Sequence, residues 1–262
     1  TIYSSFFDSP SRGVVFLGGY SGTGKSALVD EFVKQVTQKH ADKKPIYITG
    51  KFGQIQAGEP FSAISQALSN YLVYLSTKAK DDIKPLKKRL RKADIFLGSE
   101  DAKVLSDTLI PGLQGLLKKT SNQEANGNSK DLKKSLVGHD INVIKYAFQN
   151  FMKALATSEQ PVIFFIDDLQ WADSATLQLL TGLLKDNALY DVLFVGAYRS
   201  NEVNDDHDFA AMMKDIKGAL GEEMIHDMKI SNLSPDSVGE FIADCIDRSV
   251  EDVSEITDAV YS

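Results

Sequence analysis

Residues 19–26 read GYSGTGKS. Three glycines, a lysine and a hydroxyl residue at this spacing fit G-x-x-x-x-G-K-[ST], the pattern of a loop that cradles the phosphates of a nucleoside triphosphate. Gly19, Gly22 and Gly24 have no Cβ, so the backbone can take positive φ and come close to a phosphate. Successive N–H groups then turn inward as an anion nest, and a helix starting at the loop adds its positive N-terminal end. Lys25 supplies a mobile positive charge for the β- and γ-phosphates, and Ser26 offers a hydroxyl to Mg2+. The nucleotide-contacting set on this reading is Gly19, Ser21, Gly22, Thr23, Gly24, Lys25, Ser26 and Ala27, with ATP or ADP and Mg2+ as the ligands.

A second cluster of chemistry lies far downstream, in PVIFFIDDLQWAD at 161–173. An apolar run that ends in acids delivers a carboxylate to the C-terminal edge of a buried strand, where parallel sheets bind ligands. Asp167 would hold Mg2+, usually through water. Asp168, one residue further, could accept a proton from the attacking water or orient it. Asp173 precedes Ser174-Ala175-Thr176-Leu177 and reads as a helix cap. In DVLFVGAYRS at 191–200, Arg199 stands just past a strand end. If that strand lies between the glycine-loop strand and the Asp167 strand, Arg199 reaches the γ-phosphate from the side and stabilises charge in the transition state. Lys25, Asp168 and Arg199 are thus the catalytic candidates, and Ser26 and Asp167 the metal ligands.

The elements that must position these groups follow from apolar pattern. Val14 to Leu17, Ile46 to Thr49, Val162 to Ile166, Val192 to Ala197 and a weaker run from Met224 to Ile230 read as buried strands. Helical spacing separates them, which predicts a parallel sheet with helices on both faces. The first helix follows the glycine loop, with Leu28, Val29, Phe32, Val33 and Val36 on one face. Between the second and third strands, Phe61 to Leu75, Ile83 to Ala93, a piece around Leu105 to Leu117, and Ile141 to Leu155 read as helices. They form a helical insertion spanning about 55–158, packed on the sheet or standing beside it. Residues 120–131, TSNQEANGNSKD, have no apolar period and read as a mobile loop. Ser234-Pro235-Asp236 is a helix-start signal. Val253, Ile256 and Val260 mark a final helix.

Composition narrows the classes. Of 262 residues, 43% are hydrophobic and 25% charged, ordinary for a globular protein. No apolar run reaches the length of a membrane span, so no membrane role is expected. The net charge of −7 argues against broad nucleic-acid binding, which relies on basic surface. Lys84, Lys87, Lys88, Arg89, Arg91 and Lys92 crowd together as a solvated helix face, or else a docking surface for an acidic partner. His40, His139, His207 and His226 lack metal-ligand spacing and read as structural or surface residues. Cys245 sits among Phe241, Ile242 and Ile246 and reads as a buried small hydrophobe. A single cysteine fits a reducing, intracellular compartment, here the cytoplasm.

GYSGTGKSALV, GKFGQIQAGEPFSAISQAL, FFIDDLQWAD and GAYRSNEV, in this order, resemble the predicted ATPase domains of the AAA-related STAND class, the group similar to origin-recognition ATPases. The resemblance runs from about Val14 to Leu233. It implies a P-loop NTPase three-layer α/β sandwich whose five-stranded parallel sheet has the order 5-1-4-3-2. It also implies the roles above for Gly24, Lys25, Ser26, Asp167, Asp168 and Arg199. Lys51, Phe52 and Gln54 line the site or brace it. Such domains occur in large signalling proteins, so further domains of a longer chain are the implied partners, and a homo-oligomer is open to them. The family's Gly-Arg-Glu segment before the glycine loop has no match here, Gly53 stands where Asp is common, and the Gly-Asn-Pro segment past the last helix is missing. The expected organisation is an ATPase core at 1–232 and the start of a C-terminal helical lid at 233–262, within a fragment of a longer protein. The implied activity is slow ATP hydrolysis in a nucleotide-dependent switch. The alternatives are a non-catalytic nucleotide-binding scaffold, an origin-recognition-type DNA-associated ATPase, and a small-molecule kinase.

Overall fold

The computed structural model describes residue 6 and residues 12–54, 59–118, 139–221 and 224–261. The expected mobile loop at 120–131 lies outside the described residues. Strands β1 (Arg12–Gly19), β2 (Ile46–Lys51), β3 (Val162–Asp167), β4 (Val192–Arg199) and β5 (Ile225–Ile230) form one sheet in the order β2-β3-β4-β1-β5. All four pairings are parallel. This is the order 5-1-4-3-2 read from its other edge. Its consequence is that β4 lies between the glycine-loop strand β1 and the acid-bearing strand β3.

Alternation along the strands divides the core in two, because successive side chains point to opposite faces. Val14, Phe16, Ile48, Phe164, Ile166 and Phe194 face one cluster, and Val15, Leu17, Ile163, Phe165, Leu193 and Val195 face the other. Helix α1 (Lys25–Lys39) covers the second face through Val29 and Val36, flanked by Phe32 and Val33. Leu28, expected on that face, is 45% exposed, since the contact stripe of α1 is narrower than its apolar stripe.

The insertion packs on the first face. It contains α2 (Ser62–Thr77), α3 (Lys80–Lys92), α4 (Glu100–Thr108), α5 (Leu113–Leu117) and α6 (Ile141–Leu155). Its buried residues, among them Leu68, Leu105, Phe148 and Phe151, belong to the same cluster as Phe16 and Phe164. It is therefore part of the domain core, not an appendage. The piece expected around Leu105 to Leu117 is two helices, parted at Pro111-Gly112, where Gly112 takes φ of +92°. Helices α7 (Ser174–Leu184) and α8 (Asp208–Leu220) complete this layer. Phe209 of α8 meets Phe16 edge to face at 5.6 Å. Full burial of such side chains contributes about 1.5–3 kcal/mol each.

Helix caps match their sequence signals. Asp173 accepts from the Thr176 N–H at 2.9 Å and also from the Thr176 hydroxyl. Ser234 caps α9 (Pro235–Ile246), which begins with proline as such signals require. Asp173→Ala removes both acceptors and should lower stability by about 1 kcal/mol, read as a drop in the thermal midpoint. An unchanged midpoint would contradict the capping assignment.

Cys245 corrects its expectation: it is exposed. Its neighbours Phe241 and Ile246 are 63% and 50% exposed. Among the described residues only Gly239 and Ala243 of α9 are buried, because α9 packs mainly on α10 (Ser254–Tyr261) and the turn before it. The apolar stripe of α9 is real, but no described body covers it.

The basic cluster on α3 is largely a solvated face, with two exceptions. Arg89 Nε donates to the Ala154 carbonyl at 2.8 Å and Lys87 Nζ to the Lys118 carbonyl at 2.8 Å. The histidines also take structural places. His139 lies 3.6 Å from Asp107, and His207 Nδ1 accepts from the Phe209 N–H at the start of α8.

Candidate functional site

The loop after β1 turns through Gly22 at φ +83° and Gly24 at φ +85°, in the left-handed region that glycine enters without penalty. A Cβ at either position would meet nothing within 4 Å. Gly19 is required for a different reason: its φ is not positive, but a Cβ there would run into the Ile230 carbonyl of β5. Helix α1 starts at Lys25 with no side-chain cap. Its first N–H groups have no intrahelical acceptor. They form the positive end of the helix dipole at the end of the loop.

Lys25 is not a free surface cation. It is 7% exposed, and Nζ donates to the carbonyls of Gly19 at 2.9 Å and Tyr20 at 2.6 Å. Burial pulls its pKa below the ordinary lysine value, against the pull of Asp167 and Asp168. The ammonium thus closes the loop on itself and carries positive charge at its centre. Ser21 and Ala27 are exposed, and the Thr23 hydroxyl donates to Tyr20 O at 2.9 Å.

The two halves of the site, distant in sequence, meet in one hydrogen bond. Ser26 Oγ donates to Asp167 Oδ2 at 2.9 Å. Asp167 is 6% exposed and closes β3, and its Oδ1 accepts the Asp168 N–H. Asp168 then takes φ of +57°, a conformation Asp tolerates better than most residues. That turn keeps its 4%-exposed carboxylate at the same strand edge.

Further residues, to which the sequence pattern assigns no definite role, complete this edge. Lys51, opposite Asp167 in the β2–β3 register, donates to Asp167 Oδ2 at 3.0 Å. It also lies 3.1 Å from Asp168 Oδ2 as an ion pair. That oxygen is buried and accepts no aligned hydrogen bond. Burial works against the Lys51 ammonium, yet its contacts with both acids outweigh this and raise its pKa. Phe52 braces the edge: it is buried, and its N–H donates to the Asp167 carbonyl at 3.1 Å. Gln54 is exposed. Gln170 and Glu202 were not singled out. Gln170 Nε2 donates to Asp168 Oδ1 at 2.9 Å, while its Oε1 accepts the Arg199 N–H at 3.1 Å.

Arg199 ends β4, beside Gly19 in the β1 register. Its Nη1 donates to Glu202 Oε1 at 2.8 Å, and Nε lies 3.4 Å from Asp168 Oδ1. Its guanidinium lies 4.6 Å from the centre of the Trp171 ring. The hydrogen bond to Glu202, with Asp168 beside it, raises the Arg199 pKa. Lys25, Lys51 and Arg199 thus surround Asp167, Asp168 and Glu202 at one sheet edge.

These residues fit a nucleotide triphosphate with a divalent cation. The glycine loop and helix start suit phosphate, and the buried Asp167 and Asp168 carboxylates with the Ser26 hydroxyl are hard oxygen donors that suit a divalent cation in place of the Lys51 ammonium. Among the described residues, no group of three His, Cys, Asp or Glu side chains could hold a metal by itself. A cation here would need non-protein ligands to complete its shell. Also among the described residues, no helix is long and apolar enough to cross a membrane.

Comparison with known proteins supplies independent findings. The family described as "AAA ATPase domain" matches residues 4–195. Hybrid signal transduction histidine kinase G of Dictyostelium discoideum is 27% identical over 173 residues, which cover 66% of this chain and 4% of that protein. Among solved structures, Cdc6p from Pyrobaculum aerophilum aligns with 12% identity and a TM-score of 0.45. The Aeropyrum pernix Orc1 protein, in complex with DNA, aligns with 13% identity and a TM-score of 0.43. They cover 92% and 93% of this chain, which spans 45% and 47% of theirs.

Proposed function

Because the chain belongs to the AAA ATPase domain family, we propose that it binds ATP and a divalent cation at the C-terminal edge of its sheet, hydrolyses ATP slowly, and serves as a nucleotide-dependent switch in a larger signalling protein. The Ser26–Asp167 hydrogen bond carries this reading, since it joins the phosphate loop to the strand-end acid. The name of the Dictyostelium relative, a signal transduction kinase of which this chain spans 4%, supports the setting in a larger protein.

Each residue's proposed work follows from its place. The α1 N–H groups and the glycine loop receive the phosphates. Lys25 exchanges the Gly19 and Tyr20 carbonyls for phosphate oxygens, a better acceptor for a buried ammonium. Ser26 and Asp167 would hold Mg2+, which would supply charge neutralisation for the phosphates. Asp168 accepts a proton from the attacking water or aligns it. Lys51, which holds both acids here, supplies the positive charge that a bound cation would replace. Arg199 turns toward the terminal phosphate, where it favours the triphosphate over the diphosphate.

Arg199→Ala should lower ATP affinity about tenfold to a hundredfold, the worth of one charge-assisted hydrogen bond, and leave ADP affinity nearly unchanged. Parallel titrations decide this: equal loss for both nucleotides would make Arg199 structural, and no loss would place it outside the site. A second reading, a binding scaffold without turnover, draws on Asp168 being paired already with Lys51 and Arg199. Single-turnover phosphate release separates the two readings. Release that requires Asp168 supports the switch; bound ATP that stays intact supports the scaffold.

A further inference from the structure

Trp171 and Glu202 are unassigned by the proposed chemistry, yet both contact the Arg199 guanidinium, Glu202 by a hydrogen bond and Trp171 through its ring. Trp171 follows Asp168 by one short 3-10 turn, Leu169–Trp171. Its indole N–H donates to Glu202 Oε2 at 3.0 Å, so Glu202 uses one oxygen for Trp171 and the other for Arg199. The Glu202 N–H donates to the Arg199 carbonyl at 3.0 Å, so the turn that carries both residues is itself fixed. Arg199 is therefore held on three sides: by the Trp171 ring, by Glu202 and by Asp168.

We propose that Trp171 and Glu202 are positioning residues that latch the Arg199 guanidinium onto the Asp168 side of the site and release it only when a terminal phosphate competes for it. The proposal rests on reading this edge as a triphosphate site. A ligand shifts such an equilibrium only through contacts it makes better in one state than in the other. A terminal phosphate offers Arg199 paired anionic oxygens that match its planar donor fork. A diphosphate has no γ-phosphate at this position and gives Arg199 no reason to leave. The latch has a low threshold, because the Arg199 and Glu202 side chains are 27% and 31% exposed and water weakens their pairing. Trp171 adds to the hold on Arg199, since an indole is the best aromatic face for a cation. The arrangement makes Arg199 discriminate by competition, and it places the reporter in the latch itself: Trp171 is the single tryptophan of the chain.

The test uses the parent chain, with the non-hydrolysable analogue AMP-PNP and with ADP, each with Mg2+. Calorimetry establishes binding, and Trp171 emission is read on the same samples. AMP-PNP should change the emission as Arg199 leaves the ring, and ADP should change it little. Arg199→Ala should abolish the difference. Glu202→Gln keeps an acceptor for the indole but loses the charge on Arg199. It should raise the ratio of AMP-PNP to ADP affinity about two- to fivefold, the range of one partly exposed ion pair. Glu202→Asp should restore the parental ratio. Equal emission changes with both nucleotides, or an unchanged ratio in Glu202→Gln, would overturn the latch alone. Absence of binding heat with either nucleotide would overturn the nucleotide-site reading and the latch with it.

Discussion

Lys25→Ala is expected to weaken both ATP and ADP binding by at least about a hundredfold while the chain stays folded. The side chain stands at the first position of α1, between the glycine loop and the acids, 7% exposed. It is the only one of the three cations that the loop itself encloses. Each charge-assisted hydrogen bond from an ammonium to phosphate contributes about 1.5–3 kcal/mol, and the residue is placed to make more than one. In the structure Nζ holds the Gly19 and Tyr20 carbonyls, so the substitution also loosens the loop. That loss is local: both bonds of Nζ go to the loop's own carbonyls, and alanine is a strong helix former. The thermal midpoint should move by only a few degrees. Equal nucleotide affinity in variant and parent by calorimetry would contradict the assignment.

Asp168→Asn is expected to leave nucleotide binding nearly intact and to cut hydrolysis by about a hundredfold to ten-thousandfold, the usual contribution of a positioned base. Asparagine keeps the shape, tolerates the left-handed backbone at φ +57°, and retains an oxygen for the Gln170 amide. The proton acceptor goes, and with it the charge that pairs with Lys51 and Arg199. Asp167→Asn makes a different change. It removes the charge that faces Ser26 and Lys51, so binding should lose its dependence on Mg2+. Release of phosphate by Asp168→Asn at the parental rate would show that the two acids have been given each other's roles, or none.

How far these features are legible in the sequence depends on how local their causes are. The glycine loop, the β3 run and the Asp173 cap are each set by a few adjacent residues, and each stands where the pattern puts it. The helix Ile141–Leu155 is recovered to the residue because its apolar stripe is continuous and Asp140 caps it. Arg199 required topology as well. Its nearness to the loop follows from β4 lying beside β1, a pairing that no local pattern encodes.

Lys51 was named without a role because its partners, Asp167 and Asp168, are reached only through the β2–β3 register. Gln170, Trp171 and Glu202 sat in plain view within DDLQWAD and GAYRSNEV. The signal available was short spacing on either side of Asp168 and Arg199, but the Trp171–Glu202 contact crosses between two strand ends. Lys25 carried the opposite lesson. Its pattern suggests a mobile cation, and the fold buries it against its own loop. Cys245 shows where periodicity misleads, since an apolar stripe reports the capacity to bury a face and not the presence of a partner.

The central claim is that this sheet edge binds a nucleotide with a cation through the glycine loop and the strand-end acid. Calorimetric titration of the parent chain with ATP, in magnesium and again in excess chelator, tests it most directly. The account predicts one nucleotide per chain in magnesium, with a marked loss of affinity when the cation is withheld, because Asp167 then repels phosphate without an ion between them. Absence of binding heat, or the same affinity with and without magnesium, would contradict it.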